Sequence, residues 1–276
     1  MILPICLMLG LTIQQPTLKN ITDFENSAGC KVNQISYYTD YLTVDTNRLK
    51  AFTSRGIIPT IYYQPQMTFP QINSGKYDKD VIKFAQGLKA TNNRANVSLF
   101  PEWAEWMKYA KSNVNTIEQY RLAFNRFAGI IKKTAPKVQI HWTVNVRFIG
   151  DYGKYETYYP GDALVDYVTL TGFDFHKTNK WSQPRHFYEV FKDSYDEITL
   201  LTNKNVIVSE TSTAGMGEYK SIWWNNAFAD ICLNFPKIKR ITLFNILEVR
   251  KTWTANWKID PMNLKSIFNK GNPCIN

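Results

Sequence analysis

The chain is short of the residues and patterns that mark most cofactor and metal chemistry. It has four cysteines and three histidines in 276 residues. Cys6, Cys30, Cys232 and Cys274 form no C-x-x-C pair, which removes a zinc site. Cys6 and Cys232 lie in apolar runs and read as small core residues. Cys30 and Cys274 flank polar segments, and a disulfide is left open. His141, His176 and His186 have no ligand spacing, so no metal is expected. Neither G-x-G-x-x-G nor G-x-x-x-x-G-K-[ST] follows any apolar run, which argues against nucleotide binding, and no cofactor is implied. No run of eighteen apolar residues occurs, so no transmembrane span is expected. No Lys or Arg precedes Lys19, and no A-x-A pattern follows the apolar Met1–Leu11 segment. That segment is read as a first strand; a precursor already processed is equally compatible. Asn20-Ile21-Thr22 and Asn96-Val97-Ser98 match glycosylation sequons, a pattern frequent by chance.

What is present is a globular composition: 44% hydrophobic and 20% charged, with a formal charge of +10. The excess Lys and Arg are scattered, with no arginine-rich stripe, so a solvated basic surface is expected and no nucleic-acid partner. Docking on an anionic polymer stays open as a lesser reading. Aromatics are abundant, with 8 Trp, 16 Tyr and 16 Phe. They can stack on sugar rings, but core packing is the commoner use.

Eight short apolar or β-branched runs alternate with helix-like stretches. They are Pro4–Leu11, Gln34–Tyr38, Ile57–Tyr63, Asn96–Phe100, Val138–Val144, Tyr167–Phe173, Asn205–Ser209 and Arg240–Asn245. Each reads as a strand covered on both faces. Between them, 78–88, 116–133, 187–201 and 221–233 carry apolar stripes near the helical period. Thr116 is placed to cap the second of these, and Pro136 to stop it. Strand–helix alternation implies a parallel sheet with right-handed crossovers. Eight units in this length predict one α/β domain, a (β/α)8 TIM barrel over residues 1–276.

In such a barrel the active site lies at the C-terminal ends of the strands. Glu102 follows the fourth run and Glu210 caps the seventh. An acid directly after a buried strand is costly unless it has partners or a task. Two carboxylates across a barrel mouth are what glycoside hydrolysis requires; the plainer alternative is that each pairs with a surface base or caps a helix. Trp103 and Trp106 are placed to desolvate Glu102. Trp142, Trp181, Trp253 and Trp257 serve either as sugar platforms or as packing. His141 and His176 sit near strand ends and can line the cleft, whereas His186 belongs to a helix. Asp174 is a substrate contact or, more simply, a turn residue.

These residues resemble glycoside hydrolase family twenty-six, the endo-β-mannanases and their relatives. Phe100-Pro101-Glu102 with Trp106, Met107 and Tyr109 is similar to the family's acid/base segment, and Trp142-Thr143-Val144-Asn145 to its fifth strand. Tyr159-Pro160-Gly161-Asp162 followed by Val165-Asp166-Tyr167-Val168 is the most specific match. Val208-Ser209-Glu210 resembles the nucleophile strand, and Lys220 with Trp223 the K-x-x-W of the next helix. Ile21 to Gly29 and Gly56-Ile57-Ile58-Pro59 fit the family's opening faintly. The resemblance implies a secreted, retaining endo-hydrolase of a β-linked, mannan-like polysaccharide, and a monomer is expected. Glu102 would be its acid/base and Glu210 its nucleophile, with Asn145 and Phe173 at the substrate. The chain departs from the pattern near both acids. Pro101 and Ala104 stand where the family has His and Asn, Ser98 where it has Arg, and Phe173 where it has the tyrosine that orients the nucleophile. Those departures leave a catalytically silent, carbohydrate-binding or structural barrel as the alternative.

Overall fold

A computed structural model describes residues 7–92, 94–102, 116–147, 153–180 and 182–269. Eight parallel strands close into a barrel in sequence order: β1 (Met8–Thr12), β2 (Gln34–Thr39), β3 (Ile58–Tyr63), β4 (Asn96–Leu99), β5 (Gln139–Asn145), β6 (Tyr167–Thr171), β7 (Val206–Thr211) and β8 (Ile238–Phe244). Pairing of β1 with β8, from Met8 opposite Arg240 to Thr12 opposite Phe244, completes the closure. The (β/α)8 expectation is therefore met, with most strand limits within a residue or two of the apolar runs.

Helices α1 (Leu18–Ala28), α2 (Thr46–Ser54), α3 (Phe69–Asn73), α4 (Asp78–Lys89), α5 (Ile117–Thr134), α6 (Phe187–Leu201), α7 (Glu218–Asn234) and α8 (Pro261–Asn269) surround the barrel. Their starts follow local chemistry. Thr17, Asp45 and Thr116 each accept a backbone N–H of the following first turn, which satisfies one of the donors a helix leaves open there. A short hairpin, β9 (Leu247–Val249) and β10 (Thr254–Asn256), follows β8.

The main apolar core lies between strands and helices, where Phe100, Tyr120, Phe124 and Phe127 interlock. Trp142 belongs to this layer. It is 0% exposed, donates its indole N–H to the Tyr120 hydroxyl at 2.9 Å and packs 4.8 Å from the Tyr159 ring. It faces the helices, so it is a packing residue and not a sugar platform. The Tyr159–Asp162 motif behind it is likewise structural, with the Asp162 carboxylate accepting from Tyr159 and Thr202.

Inside the barrel the layers are polar. Ser98, Thr143 and Thr169 are hydroxyl-linked across β4, β5 and β6, and Arg240 donates to Gln34. At Gly10 a Cβ would stand 2.6 Å from the Thr242 hydroxyl, so the bare backbone gives that layer its room. His141 is buried beside Tyr167, below the mouth; it does not line a cleft. Its pKa is held well below the usual histidine value by burial and then by Arg240 and Lys132. Asn96 is buried and its amide donates to Thr60, so the second sequon is closed to modification in the folded chain. Cys232 is disulfide-bonded, not a simple core residue, and Cys30 is a free thiol. Among the described residues no helix is long and apolar enough to cross a membrane.

Candidate active site

Strand alternation alone would turn Glu210 away from the barrel axis. Ser209 faces inward, its hydroxyl bonded to that of Thr171 at 2.9 Å, so the next side chain should face the helices. It does not, because the β6–β7 and β7–β8 pairings both change register here. A bulge of this kind re-aims a side chain. Glu210 is thereby only 2% exposed. Its Oε1 accepts from the Thr12 hydroxyl at 3.1 Å and its Oε2 from the Tyr38 hydroxyl at 2.6 Å. Two donors, one per oxygen, suit the ionised carboxylate. Burial works the other way and is the larger effect: it pushes Glu210 up to about 8, against the Tyr38 and Thr12 hydrogen bonds, with a further upward push from Glu248.

Tyr38 lies on β2 and was not foreseen as a site residue. Although the residue is 37% exposed, its hydroxyl is committed to Glu210. Tyr62, on β3, lies 4.9 Å from the Tyr38 ring and donates to the Ser209 carbonyl at 2.9 Å. Both phenols are held well above the usual tyrosine value, first by burial; the charges of Glu210 and Glu102 both add to it. One pair of hydroxyls thus lies within electrostatic reach of both glutamates.

Glu102 ends the β4 turn, half-buried at the mouth. It has φ of 57° and Phe100 has φ of 52°, on either side of Pro101. Positive φ at bulky residues costs about 1–3 kcal/mol each and collects at functional sites. The Phe100 ring is fixed in the aromatic core, and the Glu102 N–H donates to the Thr143 carbonyl at 3.4 Å. Trp103, Trp106 and Ala104 lie outside the described residues, as does Trp181.

Asn145 ends β5, on the inward-facing series with Thr143. Its side-chain amide makes no hydrogen bond among the described residues, which leaves it available to a sugar. Phe173 sits half-buried in a second aromatic cluster with Phe175, Phe244 and Trp257, and Trp253 packs at its edge. Trp257 is buried and its indole N–H is bonded to Glu248 at 2.9 Å, so it is a support, whereas half-buried Trp253 remains at the rim. Phe173 carries no hydroxyl, and the phenol that reaches Glu210 comes instead from β2, at Tyr38.

Asp174 is not open to substrate. It is 0% exposed, and its carboxylate accepts from the backbone N–H groups of His176 and Arg185 and from the hydroxyls of Thr213 and Tyr219. The turn-residue reading holds: Asp174 ties the loops after β6 and β7 together. Asp174→Ala leaves these buried donors without an acceptor and is expected to cost about 3 kcal/mol, read as a lower midpoint in urea unfolding. His176, at φ of 47°, rests 4.4 Å from the Tyr219 ring with a buried Nδ1 that has no hydrogen-bond partner among the described residues. His186 precedes α6, its N–H donating to Glu189 at 2.7 Å. Lys220 is also a structural tie, donating to the carbonyls of Asn256 and Lys258 at 2.7 and 2.9 Å. Burial pulls it down to about 8.

A direct test of the Glu210 environment is Tyr38→Phe. The phenol favours the ionised carboxylate, so its loss raises the Glu210 pKa further. Followed by carbon NMR of the labelled side chain, Glu210 is expected to titrate near pH 8 in the unmodified protein and at higher pH in Tyr38→Phe. An unmoved titration would mean that Tyr38 acts on packing alone.

No family model matches the chain. It is 27% identical over 257 residues to endoglucanase H of Acetivibrio thermocellus, covering 89% of this chain and 28% of that protein. The chain thus spans little more than a quarter of that relative's length. Among solved structures it is similar to the catalytic domain of a family-twenty-six endo-β-1,4-mannanase from Bacillus sp. JAMB-750. The TM-score is 0.69 at 13% identity, over 96% of this chain and 86% of that one. It is also similar to the family-twenty-six domain of an endo-β-mannanase/endo-β-glucanase from Prevotella bryantii, with a TM-score of 0.66 at 11% identity, over 97% and 90%. The resemblance carried by the sequence motifs is therefore met by the fold: the chain is similar, through nearly its whole length, to the barrels of glycoside hydrolase family twenty-six.

Proposed function

We propose that the chain is a retaining endo-glycoside hydrolase of a β-linked, mannan-like polysaccharide, with Glu102 as acid/base and Glu210 as nucleophile. The observation that carries this reading is the inward turn of Glu210 at the β7 bulge, onto Thr12 and Tyr38. Glu102 stands within electrostatic reach of the same Tyr38 hydroxyl. A carboxylate buried at the end of a strand, with a donor on each oxygen, is a group held in one orientation for attack.

In the first step Glu102 gives its proton to the glycosidic oxygen as the bond to the anomeric carbon breaks. Glu210 attacks that carbon from the opposite face and forms a glycosyl ester. In the second step the Glu102 carboxylate takes a proton from water. The resulting hydroxide displaces Glu210 and leaves the sugar with its original configuration. Asn145, with an uncommitted amide at the mouth, is placed to bond a sugar hydroxyl where Ala104 no longer supplies one. The disulfide at Cys232 suits an oxidising, extracellular setting, as the family resemblance implies.

The near-complete burial of Glu210 favours one other reading, a barrel that binds oligosaccharides without cutting them. A screen of β-mannan, β-glucan and xylan separates the two. Release of reducing ends with the β-anomer formed first, seen by proton NMR, supports the retaining hydrolase. Binding without release supports the silent barrel, and the α-anomer as first product rules out the covalent route.

A further inference from the structure

Two cavities flank the connection between β1 and α1. The first, about 590 Å3, is walled partly by Thr12 and Tyr38, the two side chains that hold Glu210. It therefore adjoins the reacting carboxyl. The second, about 620 Å3, shares Ile13, Gln14, Gln15 and Ile246 with the first, and extends to Lys258. Among the described residues each cavity has one charged side chain on its wall, a cation in both cases, Arg48 in the first and Lys258 in the second, and no carboxylate lines either.

That is an unusual wall for a neutral sugar, whose hydroxyls need acceptors that Asp and Glu supply best. Arg48 is moreover held ready. Its guanidinium lies 4.9 Å from the Tyr37 ring centroid, and its Nη2 donates to the Pro16 carbonyl at 2.9 Å. Its other N–H groups have no acceptor among the described residues. The nearby acid, Asp45, caps α2 by accepting the Arg48 backbone N–H on Oδ1. Among the described residues neither Arg48 nor Lys258 has a carboxylate within ion-pair distance. A half-buried, pre-oriented guanidinium without a counter-ion matches a carboxylate, which it can grip through two parallel N–H bonds. The +10 charge of the chain draws such a ligand from a distance.

We propose that the glycan bound beside Glu210 is acidic, a β-linked chain bearing uronate units. Arg48 pairs with the carboxylate of a unit in the first cavity, and Lys258 with one in the second. This rests on Glu210 marking the reacting site, and it names the substrate class for that site.

The test measures binding to Glu210→Gln by calorimetry at low salt, so that no turnover intervenes. Tetrasaccharides of β-1,4-linked mannuronate and glucuronate are compared with their uncharged counterparts, mannotetraose and cellotetraose. The acidic ligands are expected to bind about tenfold tighter. Arg48→Gln should lower that ratio to about three, the share that Lys258 supplies, and Arg48→Lys should keep more of it. Lys258→Gln, at an exposed side chain, should lower the ratio about threefold. Equal binding of charged and neutral ligands, or a ratio that neither Arg48→Gln nor Lys258→Gln changes, overturns the inference. Hydrolysis of neutral mannan with no preference for acid overturns it while leaving the hydrolase reading intact. If no neutral or acidic glycan is cut, and none binds Glu210→Gln, both are overturned.

Discussion

Glu210→Gln is expected to lower kcat on a β-linked polysaccharide by about four orders of magnitude, the scale of losing a nucleophile while binding contacts survive. The amide keeps the shape of the carboxyl but cannot form the glycosyl ester. KM should change little, since Thr12 and Tyr38 hold the side chain without being the main sugar contacts. The same substitution carries a stability signature. Burial raises Glu210 to about 8 in the folded protein, against about 4.3 for an unperturbed Glu. A carboxyl raised in this way favours the fold most below its unfolded pKa. That contribution is lost as pH rises through the folded pKa, because the buried charge must then be formed. Glu210→Gln removes that penalty, so the variant should melt above the unmodified protein at pH 9 and much closer to it at pH 4. Thermal melts across this range, run beside the kinetics, show that a loss of rate is not a loss of fold.

Glu102→Gln should give a different kinetic pattern. General acid catalysis is worth about 100- to 10,000-fold, and it matters most when the departing oxygen is a poor leaving group. On a polysaccharide the variant is expected to lose about three orders of magnitude in kcat/KM. On aryl glycosides the loss should shrink as the phenol becomes more acidic, nearly vanishing for dinitrophenyl substrates. A loss that is the same for every leaving group would remove Glu102 from the acid role. The strained turn around Pro101 gives this variant a second use. The φ values at Phe100 and Glu102 belong to the backbone, so the amide should leave them in place.

Much of this architecture was legible in the chain. Parallel strands covered by helices read as apolar runs, and each of the eight runs overlaps a barrel strand. The short helices α2 and α3 were less visible, because nine- and five-residue segments carry too few turns for a clear apolar stripe. The places of both glutamates at the ends of strands four and seven were legible in the chain. The orientation of Glu210 was not readable, since plain alternation points it outward and the bulge exists only in the pairing with β6 and β8. Tyr38 escaped for a related reason. Nothing local marks a tyrosine at the end of β2 as the partner of a carboxylate 172 positions away. Trp142 and Asp174 show the plainer of their two readings, chemically suggestive side chains whose polar atoms bond within the fold. Asn145 ends β5 and Trp253 is half-buried beside Phe175, which is position alone.

The joining of β1 to β8 also sets when the site comes into being. Thr12 and Glu210 are separated by 198 positions and Tyr38 and Glu210 by 172, yet each pair is in hydrogen-bond contact. Contacts this far apart in sequence form late, because the chain must first lose the entropy of the large loop between them. A ribosome has released β1 and β2 long before it makes β7, so these two strands wait with their lumen hydroxyls unmatched. The surroundings of Glu210 are thus finished only when the ring of strands shuts. In refolding, recovery of hydrolytic activity should trail the recovery of helical signal, and the interval between them measures barrel closure.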